Sequence, residues 1–128
     1  MELNDKVHPA YAALQARFAY QFAGPDIGIS VAPGWLPVFE TLCVDIDQCL
    51  GQDKQGFYWR QVKEKFGIMR CSFVLTRQES RQAVQTLISA AQLETSRLCE
   101  VCGQPGTLDE SSDWLRTVCQ QHSEDHHG

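Results

Sequence analysis

"GFYWRQVKEKFGIMRCSFVLT", residues 56–76, breaks an otherwise helical chain. Aromatic and β-branched residues crowd into it and Gly67 sits in its middle, which predicts two strands joined by a turn near Lys65 to Gly67. In the second strand Met69, Cys71, Phe73 and Leu75 alternate with Arg70, Ser72 and Val74. Odd-numbered side chains should therefore face a core, with Arg70 pointing away. The first strand offers two competing sets, Phe57 and Trp59 against Tyr58 and Val62, and its inward face stays open.

Outside this hairpin the apolar residues recur at helical spacing. Tyr11, Leu14, Phe18 and Phe22 mark a helix over 8–22, opened by Pro9 and stopped by Gly24-Pro25. Trp35, Phe39, Leu42, Cys43, Ile46, Cys49 and Leu50 mark a second that ends at Gly51, with Glu40, Asp45, Asp47 and Gln48 on its acidic outer side. Val84, Leu87, Ile88, Ala91 and Leu98 mark a third over 78–98. The expected fold is α+β: three main helices around a small antiparallel sheet built on the 57–75 hairpin, with a zinc knuckle closing the C-terminal end. A third strand from Ile27 to Val31 is compatible with this plan. The expected divisions are a core over 1–98, the knuckle over 99–122 packed on it, and a flexible tail over 123–128.

The knuckle is inferred from "RLCEVCGQPGTLDESSDWLRTVCQQH", residues 97–122. Cys99 and Cys102 flank two residues, sixteen more intervene, and then Cys119 and His122 flank two, a spacing used by four-ligand zinc sites. Each two-residue gap lets a turn aim two ligands at one centre, and Gly103 permits the tight bend after the second Cys. Three thiolates and an imidazole suit Zn2+ better than magnesium or calcium. His126 or His127 is an alternative fourth ligand to His122. The remaining Cys43, Cys49 and Cys71 lie in apolar patterns and read as core thiols.

Four protein donors leave no open coordination position, and no H-E-x-x-H or H-x-E frame supplies a base, so the ion is expected to be structural. Glycine-rich phosphate loops and the G-x-S-x-G elbow are missing as well. Asp45 and Asp47, two apart on a helix, point in different directions and read as a solvated face. The expectation is a protein that is not an enzyme. No apolar run approaches 18 residues and the start lacks a leader pattern, which predicts a cytoplasmic protein with no membrane partner.

Formal charge is -5, but it is unevenly spread. Residues 54–81 carry seven basic side chains against Glu64 and Glu79, so that window is about +5 and the remainder about -10. Two surfaces follow. Asp109, Glu110 and Asp113 form an acidic loop inside the knuckle that suits a basic partner. Arg60, Lys63, Lys65 and Arg70, interleaved with Trp59 and Phe66, suit a phosphate backbone instead, unless the aromatics are core and the charges merely solvate a turn.

"VKEKFGIMR" at 62–70 and "CEVCGQPG…WLRTVCQQH" at 99–122, in that order with a helix between, resemble a group of small bacterial and phage-encoded proteins. These carry a V-K-E-K-F-G-x-[LM]-R hairpin and a C-terminal C-x-x-C-G…W-x-x-[TV]-x-C-x-x-H zinc knuckle, and the resemblance covers roughly the second half of the chain. Ile68 departs from it, standing where a second Gly would follow Gly67. The resemblance implies zinc ligands at Cys99, Cys102, Cys119 and His122 and no catalytic residue. Some proteins of this kind look like immunity proteins that neutralise type VI secretion nuclease effectors. A cognate toxin is therefore the expected partner, blocked by occlusion of its active or substrate-binding surface. The alternative is a nucleic-acid-associated phage or mobile-element factor that uses the basic hairpin.

Overall fold

The computed structural model describes residues 9–54, 56–111 and 115–126, with side chains given as far as residue 123. Helix α1 covers Pro9–Arg17 and gives way at Phe18 to a 3-10 turn, Ala19–Phe22. One long helix was expected here, and a buried polar side chain explains the break. Gln21 is fully buried; its Nε2 donates to the Cys43 carbonyl at 3.0 Å, and its Oε1 accepts from Trp59 Nε1 at 3.1 Å. Tightening the chain after Phe18 lets Gln21 join the second helix to the sheet and satisfies the Trp59 indole, which would be costly to bury unpaired. His8 lies outside the described residues.

Strand β1 (Gly28–Ile29) and a 3-10 turn (Pro33–Trp35) lead into α2, Leu36–Leu50. Its apolar stripe is buried as the periodicity requires, and Gly51, at φ 64°, turns the chain out of the helix. The acidic outer side holds less completely. Asp47 accepts from Tyr20 Oη at 2.7 Å and pairs with Lys54 Nζ at 3.0 Å. Burial alone would raise its carboxyl, but these partners hold it below its ordinary value.

Strands β2 (Phe57–Lys65) and β3 (Ile68–Leu75) form the expected antiparallel hairpin. Trp59 pairs with Phe73 but Gln61 pairs with Ser72, so Arg60 is an extra residue in a bulge. The bulge settles the open face of the first strand: Phe57 and Trp59 point inward before it, Val62 after it, and all three are buried. β1 adds to the other edge of β2 in parallel, Gly28 opposite Gln61 and Ile29 opposite Val62. The sheet is therefore mixed, in the order β1-β2-β3, because α2 serves as the crossover that two parallel strands need.

Helix α3, Arg81–Thr95, packs on α2 and β3 with Val84, Ile88 and Ala91 buried. It also covers the exposed edge of the sheet. Thr95 Oγ1 accepts from the Met69 amide at 3.1 Å and Gln92 Oε1 from the Cys71 amide at 3.2 Å, so edge donors of β3 are satisfied by side chains. Three main helices around a small sheet, with the C-terminal Cys/His cluster, give the α+β architecture. Two elements were not foreseen: a small hairpin of β4 (Thr107–Asp109) and β5 (Arg116–Val118), and a helix α4, Gln120–His126, which runs from the end of the expected knuckle into the positions expected to be tail.

Candidate metal centre and basic hairpin face

After α3 the chain bends sharply. Leu98 bridges to Pro105, the Cys99 amide donates to the Gln104 carbonyl at 2.7 Å, and the Gly103 amide donates to the Cys99 carbonyl at 2.8 Å. This closes the first knuckle and aims Cys99 and Cys102 at one point. The second pair is set by α4, since Cys119 immediately precedes it and the Ser123 amide donates to the Cys119 carbonyl at 2.9 Å. Cys119 and His122, three apart on that first turn, share a side.

The four donor atoms lie within 4.8 Å of one another. Cys102 Sγ is 3.8 Å from Cys119 Sγ, and His122 Nδ1 is 3.4 Å from Cys99 Sγ and 3.1 Å from Cys119 Sγ. A tetrahedron with metal–sulfur bonds of about 2.3 Å and metal–nitrogen bonds of about 2.0 Å has edges of roughly 3.8 and 3.5 Å. The Cys102–Cys119 separation matches such an edge and the two His122 separations are slightly shorter, so Cys99, Cys102, Cys119 and His122 could hold one ion. Burial would raise the Cys99 thiol, yet amide hydrogen bonds from Cys119, Cys102 and Val101 outweigh it and lower the group from 9.0 to about 6. A thiolate favoured at Cys99 is one donor prepared for a cation. By contrast burial pushes Cys43 up and takes Cys71 to about 12, as expected of core thiols. Side-chain positions are not described for His126, and His127 lies outside the described residues.

The knuckle is fastened to the core at two places that sequence inspection missed. Gly34, buried at the entry to α2, donates its amide to the Glu100 carbonyl at 2.7 Å, and Trp35 Nε1 donates to the Leu98 carbonyl at 2.9 Å. On the other side the Glu100 amide donates to the Thr117 carbonyl at 2.9 Å, while Thr117 Oγ1 donates to the Gly67 carbonyl at 2.7 Å. Thr117 thereby ties the metal end to the tip of the basic hairpin. These contacts bridge up to 66 positions of sequence, and no local pattern signals them.

The acidic loop is partly consumed within the molecule. Asp109 is nearly buried, pairs with the buried Arg116 at 3.6 Å and accepts from the Ser111 amide at 2.9 Å. Arg116 also donates to the His122 carbonyl at 3.3 Å, so this pair braces the ligand helix. Asp109 thus supports the knuckle from within the fold. Glu110 is exposed, and Asp113 lies outside the described residues.

The basic residues fare differently. Lys63 and Arg70 stand directly opposite each other across the hairpin, and with Lys65, Phe66, Gln61 and Ser72 they line one shallow groove on its outer face. Arg60, exposed at the bulge, is outside that groove. Ion pairs of the described residues engage Lys54, Arg77 and Arg116 and none of the groove cations. Nearby Glu64 is turned to the Gly67 amide, which donates to it at 2.8 Å. The two aromatics split: Trp59 is core, while Phe66 is 60 % exposed at the hairpin tip. Among the described residues no helix is long and apolar enough to cross a membrane. Comparison with protein-family models, curated proteins and solved structures finds no match to the chain.

Proposed function

We propose that this protein is a non-catalytic binding module that engages a nucleic acid through the outer face of its β2–β3 hairpin, with a structural zinc ion holding that hairpin in place. The observation that carries the reading is the direct juxtaposition of Lys63 and Arg70 beside Lys65. Like charges opposite each other on a sheet are destabilising. A phosphate backbone would neutralise them and release its own counterions in the process. Zinc is the metal that three thiolates and one imidazole favour, and its role is structural because four protein donors would fill a tetrahedral sphere. Ligating thiolates also suit a reducing compartment such as the cytoplasm.

The toxin-blocking reading rests on the lack of catalytic motifs, the acidic balance of the chain and the acidic loop, of which Asp109 is already paired with Arg116. The hairpin face therefore has the stronger support. Titrating the zinc-loaded protein into labelled single-stranded and duplex oligonucleotides at low salt should show binding to at least one. With three phosphate contacts, log K should fall against log salt with a slope of about -2 to -3. Combined Lys63→Glu and Arg70→Glu should remove it. No retention of either oligonucleotide at low salt would end this reading.

A further inference from the structure

Phe66 is in the wrong place for a residue chosen by folding. The β2–β3 connection is a two-residue turn, and both Phe66, at φ 56°, and Gly67, at φ 80°, take positive φ. Such turns favour Asn-Gly or Gly-Gly, because a bulky side chain in the left-handed region meets its own backbone. Phe66 is the large apolar side chain with the greatest exposure among the described residues, so burial does not offset that strain. Strain that nothing in the fold repays is a pointer to function. A further detail fixes the kind of contact: Lys65 Nζ sits 5.6 Å from the Phe66 ring centroid, leaving the tip both aromatic and cationic.

Resting on the reading above, the geometry points to single-stranded nucleic acid as the ligand, with an unpaired base stacked on Phe66 and the adjoining phosphates held by Lys63, Lys65 and Arg70. Aromatic stacking needs a base whose face is free, which a duplex withholds and a single strand presents. Lys63 and Lys65, two residues apart on one strand, are separated by about 7 Å along it, which is the scale of one extended nucleotide step. Gln61 and Ser72 continue the groove with neutral hydrogen-bonding groups. An anionic lipid surface would also attract these cations, but a lone aromatic in a groove otherwise lined by polar residues and Cys71 offers little to bury in acyl chains.

The test uses the full-length, zinc-loaded protein with three probes: a single-stranded oligothymidine, a duplex of equal length, and phosphatidylserine vesicles. Phe66→Asn restores the residue this turn prefers, so it should raise the melting temperature by a few degrees or leave it unchanged. It should at the same time weaken single-strand binding about tenfold, leaving any duplex binding within about twofold. Phe66→Trp should keep single-strand affinity and report stacking by quenching of its added indole. If Phe66→Asn binds the single strand normally while Lys63→Glu with Arg70→Glu does not, stacking is refuted and the phosphate-binding reading stands. If the wild type binds neither oligonucleotide, the underlying reading falls with it. Tighter binding to the vesicles than to the single strand would overturn the inference in favour of a membrane surface.

Discussion

At the scale of single residues, a close backbone-to-backbone joint forms where Gly34 meets the metal knuckle. A Cβ added at Gly34 would overlap the Cys99 carbonyl and stand 2.6 Å from the Gly103 amide nitrogen, both of them backbone atoms that cannot rotate away. Gly103 approaches from the other side, since its own Cβ would lie 2.9 Å from the Gly34 carbonyl. Two backbones in such contact tolerate only glycine. Gly34→Ala should therefore force the knuckle off the core, at a cost of about 1–3 kcal/mol or more. Denaturant melts would show this loss, and metal retention against a competing chelator should drop in parallel; a wild-type melt would refute the joint. Arg60 illustrates what the sequence conceals at this scale. Its neighbours Tyr58 and Val62 competed with Phe57 and Trp59 because a bulge changes the alternation midway, and no residue type announces a bulge.

Among the elements, legibility tracked length and regularity. Helix α2 was readable from its stripe and its terminal Gly51, and β3 from its alternation, because each buries one continuous face. Helix α1 was overestimated since Gln21, a polar residue that is usually exposed, is drawn inward by Trp59 and Cys43. β4 and β5 have three residues each, too few for a period to register. The four candidate ligands were legible through spacing alone, but the element that carries His122, and the clasp between knuckle and hairpin, were not. That clasp makes a prediction. Thr117→Val keeps the shape and removes the hydroxyl that donates to the Gly67 carbonyl, leaving a buried acceptor unpaired. A loss of about 1–3 kcal/mol is expected. Amide exchange should quicken at 65–68 in particular, and uniform protection across the hairpin would show that the clasp does not matter.

For the whole molecule, the ion and the fold should be coupled through protons. The folded chain holds Cys99 at about 6 against its ordinary 9.0, so between those values the unfolded chain binds a proton that the folded one does not. Stability from this group is therefore complete above about pH 9 and is lost as pH falls to about 6. Cys102 works in the opposite sense: the Gln104 amide lowers it, but burial and the sulfurs of Cys99 and Cys119 raise it on balance. Cys99→Ser removes the lowered group together with a sulfur that raises Cys102, and is expected to flatten any fall in melting temperature of the metal-free protein between pH 9 and 6. A bound metal ion such as zinc would add its own linkage, because it would hold its ligands deprotonated and have to be displaced by protons. The metal-loaded protein should thus keep its melting temperature to lower pH than the chelated form, with one zinc per chain released as it finally declines. Since Thr117 and Glu100 connect the knuckle to the hairpin, chelation should also loosen residues 63–70 and weaken oligonucleotide binding even though no basic side chain has changed. Identical binding and identical pH profiles with and without chelator would separate the metal from both the fold and its contact face.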